Sequence, residues 1–213
     1  MKTALIVGAT GLIGKKITEQ LLDHPNYATV IILVRKKLSI HHPKLTQQIF
    51  NYDFPDFSLI KADDIYCSLG TTIKKAGSKE AFRKVDYDYV VKIAKAGKEN
   101  GVNQIAVISA MGANKDSNIF YNRTKGEMEE AIKEIGFNTA LIIRPSMLLG
   151  NRKEFRFGEL IGKFIMTSLS FLIPKKYKAI YDVQVAKATI YFMNSNLTGF
   201  IVKENEELIE HSK

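Results

Sequence analysis

Cysteine occurs once in the 213 residues, at Cys67, which excludes an intramolecular disulfide and fits a reducing compartment, the cytoplasm. Histidine occurs four times. His41 and His42 are adjacent and so face opposite ways on an extended chain; His24 and His211 stand apart from them, and no metal site is expected. No apolar run is long enough to span a bilayer, since the longest, near Phe164 to Ile173, is interrupted by polar residues. Lys2 before a very short apolar run makes no signal peptide. Internal repeats and basic-aromatic motifs are also missing. The net charge of +9 and pI near 9.4 come from scattered residues such as Lys36-Lys37, Lys74-Lys75 and Lys175-Lys176. A solvated basic surface is therefore expected, and a nucleic-acid partner is not. What is left is an ordinary globular composition, 46% hydrophobic and 25% charged, sized for one domain.

The most informative stretch runs from Met1 to Gly14. Ala4 to Val7 is a short apolar run of strand type, bounded by glycine. Gly8, Gly11 and Gly14 follow at three-residue spacing, and Leu12 to Leu22 reads as an amphipathic helix. Strand, glycine turn and helix in that order build a diphosphate site. Gly8 allows the tight turn, Gly11 lets the backbone approach a pyrophosphate, and Gly14 lets the helix pack close to the strand. The N–H groups around Thr10, Leu12 and Ile13, at the positive end of the helix dipole, favour an anion. The spacing is G-x-x-G-x-x-G, not the commoner G-x-G-x-x-G. Its place directly after a first strand is what points to a nucleotide.

A regular alternation follows. Ala28 to Val34 reads as a buried second strand after a Pro25-Asn26 turn, Gln47 to Tyr52 as a weaker third, and Asp64 to Leu69 as a fourth ending at Gly70. Asp63-Asp64 begins that strand and is not read as a carboxylate dyad. Lys79 to Asn100 carries Phe82, Val85, Tyr89, Ile93 and Ala96 at helical spacing, so one long helix is expected, stopped at Gly101. Gln104 to Ile108 is a fifth strand, Ile119 to Ile135 a helix ended by Gly136, and Thr139 to Ile143 a sixth strand halted by Arg144-Pro145. Strands alternating with helices predict an α/β, doubly wound parallel sheet with right-handed crossovers. Beyond Pro145 the pattern predicts a very apolar helix from Phe157 to Leu172, a helix from Val183 to Asn194, a short strand from Gly199 to Val202 and an acidic end from Glu204 to His211. Residues 1–150 would form a dinucleotide-binding core and residues 151–213 a C-terminal cap, in a single domain.

In such a sheet the end of the second strand meets the adenosine ribose. A carboxylate there binds a 2′-hydroxyl, whereas an arginine accommodates a 2′-phosphate. Val34-Arg35-Lys36-Lys37 holds no carboxylate, and Arg35 could grip a phosphate bidentately with Lys36 beside it. NADP(H) is therefore expected over NAD(H). Asp53, after the third strand, stands where an acidic side chain reaches the adenine amino group.

Tyr121 and Lys125 are four apart on a helix and lie one above the other. An unperturbed tyrosine is a poor acid or base at neutral pH, but a nearby ammonium stabilises its phenolate. The pair can pass a proton to or from a carbonyl oxygen as hydride moves. The pair alone is weak. Its position strengthens it, because it opens the helix after the Gln104–Ile108 strand, whose end holds Ser109, and ligands of open α/β sheets sit beyond the carboxyl ends of strands.

Gly8/Gly11/Gly14, Ser109 and Tyr121/Lys125 resemble the short-chain dehydrogenase/reductase superfamily, a Rossmann fold, in its atypical NAD(P)-binding branch. Cys67-Ser68-Leu69-Gly70-Thr71-Thr72, Val85-Asp86-Tyr87-Asp88-Tyr89, Phe120-Tyr121, Lys125-Gly126-Glu127 and Arg144-Pro145 with Leu148-Leu149 resemble the Tat-interacting oxidoreductase-like group, over roughly residues 1–155. The resemblance implies a tyrosine acid/base at Tyr121, with Lys125 on the nicotinamide ribose. Leu69, Gly70 and Thr71 would line the cofactor, Arg144 and Pro145 would contact it, and the segment after Pro145 would run beside the nicotinamide. It also implies a small carbonyl substrate and a homodimer. Two residues depart from the pattern. Ser109-Ala110 stands for Ser-Ser, so either Ser109 orients the substrate from one position earlier or that hydroxyl is missing and turnover is slow. Ser146 replaces the glycine usual after Arg-Pro.

Three readings are carried forward. The first is an NADPH-dependent oxidoreductase. The second is an NADP(H)-binding sensor that presents a surface to a protein partner with little or no turnover. The third is epimerisation of a nucleotide sugar, for which the C-terminal third is short. Cys67 reads as a buried strand residue ahead of a redox sensor. The Leu160 to Ile173 stretch fits a core or pocket wall better than a dimer or membrane-surface helix, because its lysines are few.

Overall fold

The computed structural model describes residues 1–150 and 174–212. Strand β1 (Lys2–Val7) lies inside a sheet, between two neighbouring strands, with Ala4, Leu5, Ile6 and Val7 all wholly buried. Successive side chains of a strand point to opposite faces, so Ala4 and Ile6 join one core while Leu5 and Val7 join another. Both faces are thus covered. After β1 come α1 (Leu12–Leu22), β2 (Tyr27–Val34), β3 (Leu45–Ile49), β4 (Asp64–Cys67), α2 (Ile73–Ala76) and α3 (Lys79–Arg83). Then follow α4 (Tyr89–Glu99), β5 (Gln104–Ile108), α5 (Phe120–Ile135), β6 (Thr139–Arg144) and β7 (Leu148–Leu149). β8 (Ile180–Tyr181), α6 (Asp182–Met193), β9 (Gly199–Glu204) and α7 (Asn205–Glu210) complete the described chain.

Seven strands pair in the order β3-β2-β1-β4-β5-β6-β9, every pair parallel. β7 and β8 form a separate two-stranded sheet. Helices α1 and α6 pack one face through residues such as Ile17, Leu21, Val185 and Phe192. Helices α4 and α5 pack the other through Ile93, Ala94, Met128 and Ile132. The expected doubly wound α/β fold is present, and the strand order reverses between β1 and β4, where such sheets open a ligand crevice.

Several boundaries differ from the sequence expectation, each for a local reason. β3 ends at Ile49, before Tyr52, because β2 stops at Val34 opposite it and Asn51 Oδ1 turns the chain by accepting from the Asp53 N–H at 2.9 Å. β4 ends at Cys67, paired with the last residue of β1, Val7. The helix expected from Lys79 to Asn100 is interrupted by a π turn at Lys84–Asp88. Its widened turn carries Asp86, whose buried carboxylate is bound outside the helix. The C-terminal strand is longer than expected and pairs with β6 from Thr139↔Gly199 to Arg144↔Glu204, so the end of the chain builds sheet as well as covering it. The acidic end is helical. The helix expected from Phe157 to Leu172, and the apolar stretch to Ile173, lie outside the described residues.

Candidate functional site

The site is assembled from the loops that leave β1, β4, β5 and β6 at their carboxyl ends. At the first of these, Gly8 takes φ +87°, a left-handed conformation, and its carbonyl accepts from the Gly11 N–H at 2.9 Å. A Cβ at Gly8 would fall within 2.9 Å of Ser68 and Leu69 backbone atoms, and one at Gly14 would lie 2.2 Å from the Gly8 carbonyl oxygen. The β1 turn, the β4 loop and α1 are therefore in direct backbone contact. Ser68 reinforces this, its hydroxyl donating to the carbonyls of Val7 at 3.0 Å and Gly8 at 3.2 Å.

The chemistry of this cradle fits a dinucleotide. Gly11 caps α1 without a side-chain hydrogen bond, and no acidic residue stands in the first turn. The N–H groups at Leu12, Ile13 and Gly14 thus lack the carboxylate or hydroxyl that usually satisfies a helix start. Thr10 and Gly11 are exposed beside them. Anions favour such a terminus.

At the end of β2, Arg35 and Lys36 are exposed, and the Arg35 guanidinium lies 5.8 Å from the Tyr52 ring centre. Asp53 faces the same region. It accepts from the Tyr89 hydroxyl at 2.6 Å and pairs with Lys84. Those bonds, Lys84 first and Tyr89 second, hold its carboxyl below the usual range.

Around the loop after β4, Leu69 and Thr71 are half-buried and Gly70 is exposed. Lys125 is buried and its ammonium binds Asp86 at 2.8 Å. Burial by itself would lower the Lys125 pKa. The Asp86 carboxylate, with the Tyr121 phenol and Cys67 thiol also acting on it, outweighs this, so the net shift is upward and Lys125 stays charged. Tyr121, one helical turn before Lys125, is half-buried with its ring 5.5 Å from that of Phe82. The structure therefore brings Tyr121 and Lys125 onto one face of α5, next to the β4 loop.

Ser109 is placed differently. It is buried, and its hydroxyl donates to Glu129, which is also buried and held by Arg144 from β6. The hydroxyl expected to orient a carbonyl is thus committed to a carboxylate. Arg144 reaches on to Glu204 at 3.0 Å, and the buried Pro145 accepts from the Met111 N–H at 3.0 Å. Ser146 binds the Lys178 carbonyl through its hydroxyl, and its N–H donates to Asn205 Oδ1 at 3.0 Å. Where a glycine is usual, this serine ties the segment after β6 to the C-terminal residues.

Two buried carboxylates of the candidate site, Asp86 and Glu129, have no role in the sequence reading. A signal was there. Asp86 shares a helical stripe with Phe82, Tyr89 and Ile93, and Glu129 one with Lys125 and Ile132, so each acid stands on a buried face. Among the described residues, no group of three or more His, Cys, Asp or Glu could hold a metal, and no helix is long and apolar enough to cross a membrane.

Comparison with known proteins agrees with this geometry. A family model described as NAD(P)H-binding matches residues 8–168, well over half of the chain. The protein FMP52 of Candida albicans, named as mitochondrial, is 38% identical over 159 residues, covering 71% of this chain and 69% of that protein. Protein HTATIP2 of Rattus norvegicus is 30% identical over 200 residues, covering 91% of this chain and 81% of that protein. Among solved structures, MoeE5 in complex with UDP-glucuronic acid and NAD aligns with a TM-score of 0.74 at 13% identity, over 99% of this chain and 81% of that one. A UDP-N-acetylglucosamine 4-epimerase from Methanobrevibacter ruminantium M1 aligns with a TM-score of 0.72 at 20% identity, over 95% and 76%. These two show the fold alone. By its glycine cradle, its strand order and the matched residues, the chain belongs to the NAD(P)H-binding family of Rossmann-type proteins, with HTATIP2 and FMP52 among its relatives.

Proposed function

We propose that the protein is an NADPH-dependent oxidoreductase of the atypical short-chain dehydrogenase/reductase type, acting on a small carbonyl or quinone-like substrate. The observation that carries this reading is Tyr121 one turn from Lys125 on α5, with Lys125 kept charged by Asp86 beside the β4 loop. When bound, the reduced nicotinamide supplies hydride. Tyr121 donates the proton to the carbonyl oxygen, and Lys125 bonds the ribose hydroxyls and favours the phenolate left behind. The backbone from Gly8 to Gly14 takes the pyrophosphate, Arg35 and Lys36 take the 2′-phosphate, and Asp53 meets the adenine amino group. Leu69, Gly70 and Thr71 line the middle of the cofactor. Pro145 flanks the nicotinamide, and Arg144 braces that wall through Glu129.

The second reading, an NADP(H) sensor with little or no turnover, is favoured by one observation. The Ser109 hydroxyl is given to Glu129 and the next residue is Ala110, so a substrate carbonyl lacks its usual serine. A homodimer completes either reading. The single buried thiol fits a reducing compartment such as the cytoplasm, and the mitochondrial names of fungal relatives make the mitochondrion the competing location.

The test is NADPH oxidation with a panel of aldehydes, ketones and quinones, comparing wild type with Tyr121→Phe. Turnover that falls on the order of a hundredfold or more in the variant supports the enzyme. NADPH binding with no turnover in either protein supports the sensor. Absence of binding overturns both.

A further inference from the structure

Lys125 and Asp86 are almost wholly out of water, with side-chain exposures of 4% and 1%, and nothing in the proton transfer itself requires the carboxylate. Asp86 Oδ1 accepts from Lys125 Nζ at 2.8 Å, and Oδ2 accepts from the Thr71 N–H at 2.8 Å. One carboxylate therefore joins three elements: the loop after β4, the π turn between α3 and α4, and the helix that carries Tyr121. The fit is close on the loop side. A Cβ at Gly70 would come within 3.3 Å of Asp86 Oδ1 and 3.9 Å of Lys125 Nζ, so a side chain there would press on the pair.

A buried ion pair is a poor way to gain stability. Each ion costs several kcal/mol to desolvate, and apolar residues of similar volume are often as stable or more so. The α-helical hydrogen bonding also gives way to a π turn at this carboxylate, as helices frequently do at functional sites. The pair has a different use if it fixes something that must be placed accurately.

We propose that Asp86 is a positioning residue for the nicotinamide half of the cofactor, setting Lys125 and the Leu69–Thr71 loop as one unit. This rests on the reading of Lys125 as the ribose-binding residue. Asp86 aims the ammonium while anchoring the loop that lines the same part of the ligand, so neither can shift alone. The groups acting on Lys125 are Asp86, Tyr121 and Cys67, and of these Asp86 is the one that binds it directly.

The test titrates wild type, Asp86→Asn and Asp86→Ala with NADPH and with 2′,5′-ADP, which has the adenosine end but no nicotinamide ribose. Both variants should bind 2′,5′-ADP within about twofold of wild type. NADPH should weaken about tenfold in Asp86→Asn, whose amide oxygen can still accept from Thr71, and about a hundredfold in Asp86→Ala. The Asn variant should also lose NADPH affinity as pH rises from about 7 to about 10, where wild type stays level, because Lys125 loses the charge that opposes its burial. Equal weakening of both ligands, or a folded Asn variant with wild-type NADPH affinity and a level profile, overturns the proposal. Should the Ala variant not fold, the Asn variant decides alone. Wild-type protein that binds neither ligand overturns the cofactor reading itself, and this inference with it.

Discussion

Ser109 and Glu129 are joined, hydroxyl to carboxylate, across the junction of β5 and α5, and Arg144 from β6 holds the same carboxylate. The helix that carries Tyr121 and Lys125 is thereby fastened to the ends of two strands. Ser109→Ala should lower unfolding free energy by about 1–2 kcal/mol in urea denaturation, the cost of leaving a buried carboxylate with one partner fewer. NADPH affinity should hardly change. A variant of wild-type stability whose kcat drops about a hundredfold would instead return Ser109 to the substrate.

Cofactor choice turns on Arg35. The residue is exposed at the end of β2, near Tyr52, and the run from Val34 to Lys37 holds no carboxylate of its own. Calorimetry on Arg35→Ala should show NADPH weakened about 10- to 100-fold, as expected for a lost charge-assisted pair, and NADH by less than about twofold. Equal weakening of the two would remove the 2′-phosphate assignment.

Cys67 closes β4 with its side chain buried, and burial, partly opposed by the Leu69 N–H, pushes its thiol up to about 11. At neutral pH it is therefore a thiol and not a thiolate, and a poor nucleophile. Native protein should resist iodoacetamide for hours while urea-unfolded protein is alkylated within minutes. Rapid alkylation of the native form would revive the redox-sensor reading.

At the opposite end of the sheet, Asp64 is buried, accepts from the Tyr27 hydroxyl at 2.6 Å and pairs with Lys2 at 3.0 Å. Its other oxygen, Oδ1, is buried without a partner. Burial raises its pKa, against the pull of Tyr27 and Lys2, and Asp63 adds to the rise. A raised folded-state pKa means stability that is full below the unfolded value near 3.8 and is lost as pH rises through the folded value. Relative to wild type, Asp64→Asn should gain stability as pH is raised from about 4 to about 7, followed by thermal melts across that range. A wild type that gains on the variant over the same interval would contradict the burial account.

Much of the fold could be read along the chain because its signals are local. Val7 to Gly14 and Thr139 to Pro145 announce their turns through glycine and proline, and β2 and β5 match their apolar runs within a residue or two. The ends of β3 and β4 were harder, since they are set by where the neighbouring strand stops and not by their own residues. The site divides in the same way. Tyr121 and Lys125 share one helix, so their spacing places them together. Asp86 and Glu129 meet their partners only through tertiary packing, and helical periodicity counts each simply as a charged residue on an apolar stripe. Ser109 shows the reverse case, where a strand end predicted the place of a hydroxyl but not its partner.

The central claim is an NADPH site running from the glycine turn to Tyr121, and calorimetric titration of the wild-type protein with NADPH and with NADH tests it most directly. The account predicts saturation at one NADPH per chain, with NADH at least about tenfold weaker. Heat of binding absent for both dinucleotides, or NADH bound as tightly as its phosphorylated counterpart, would contradict it.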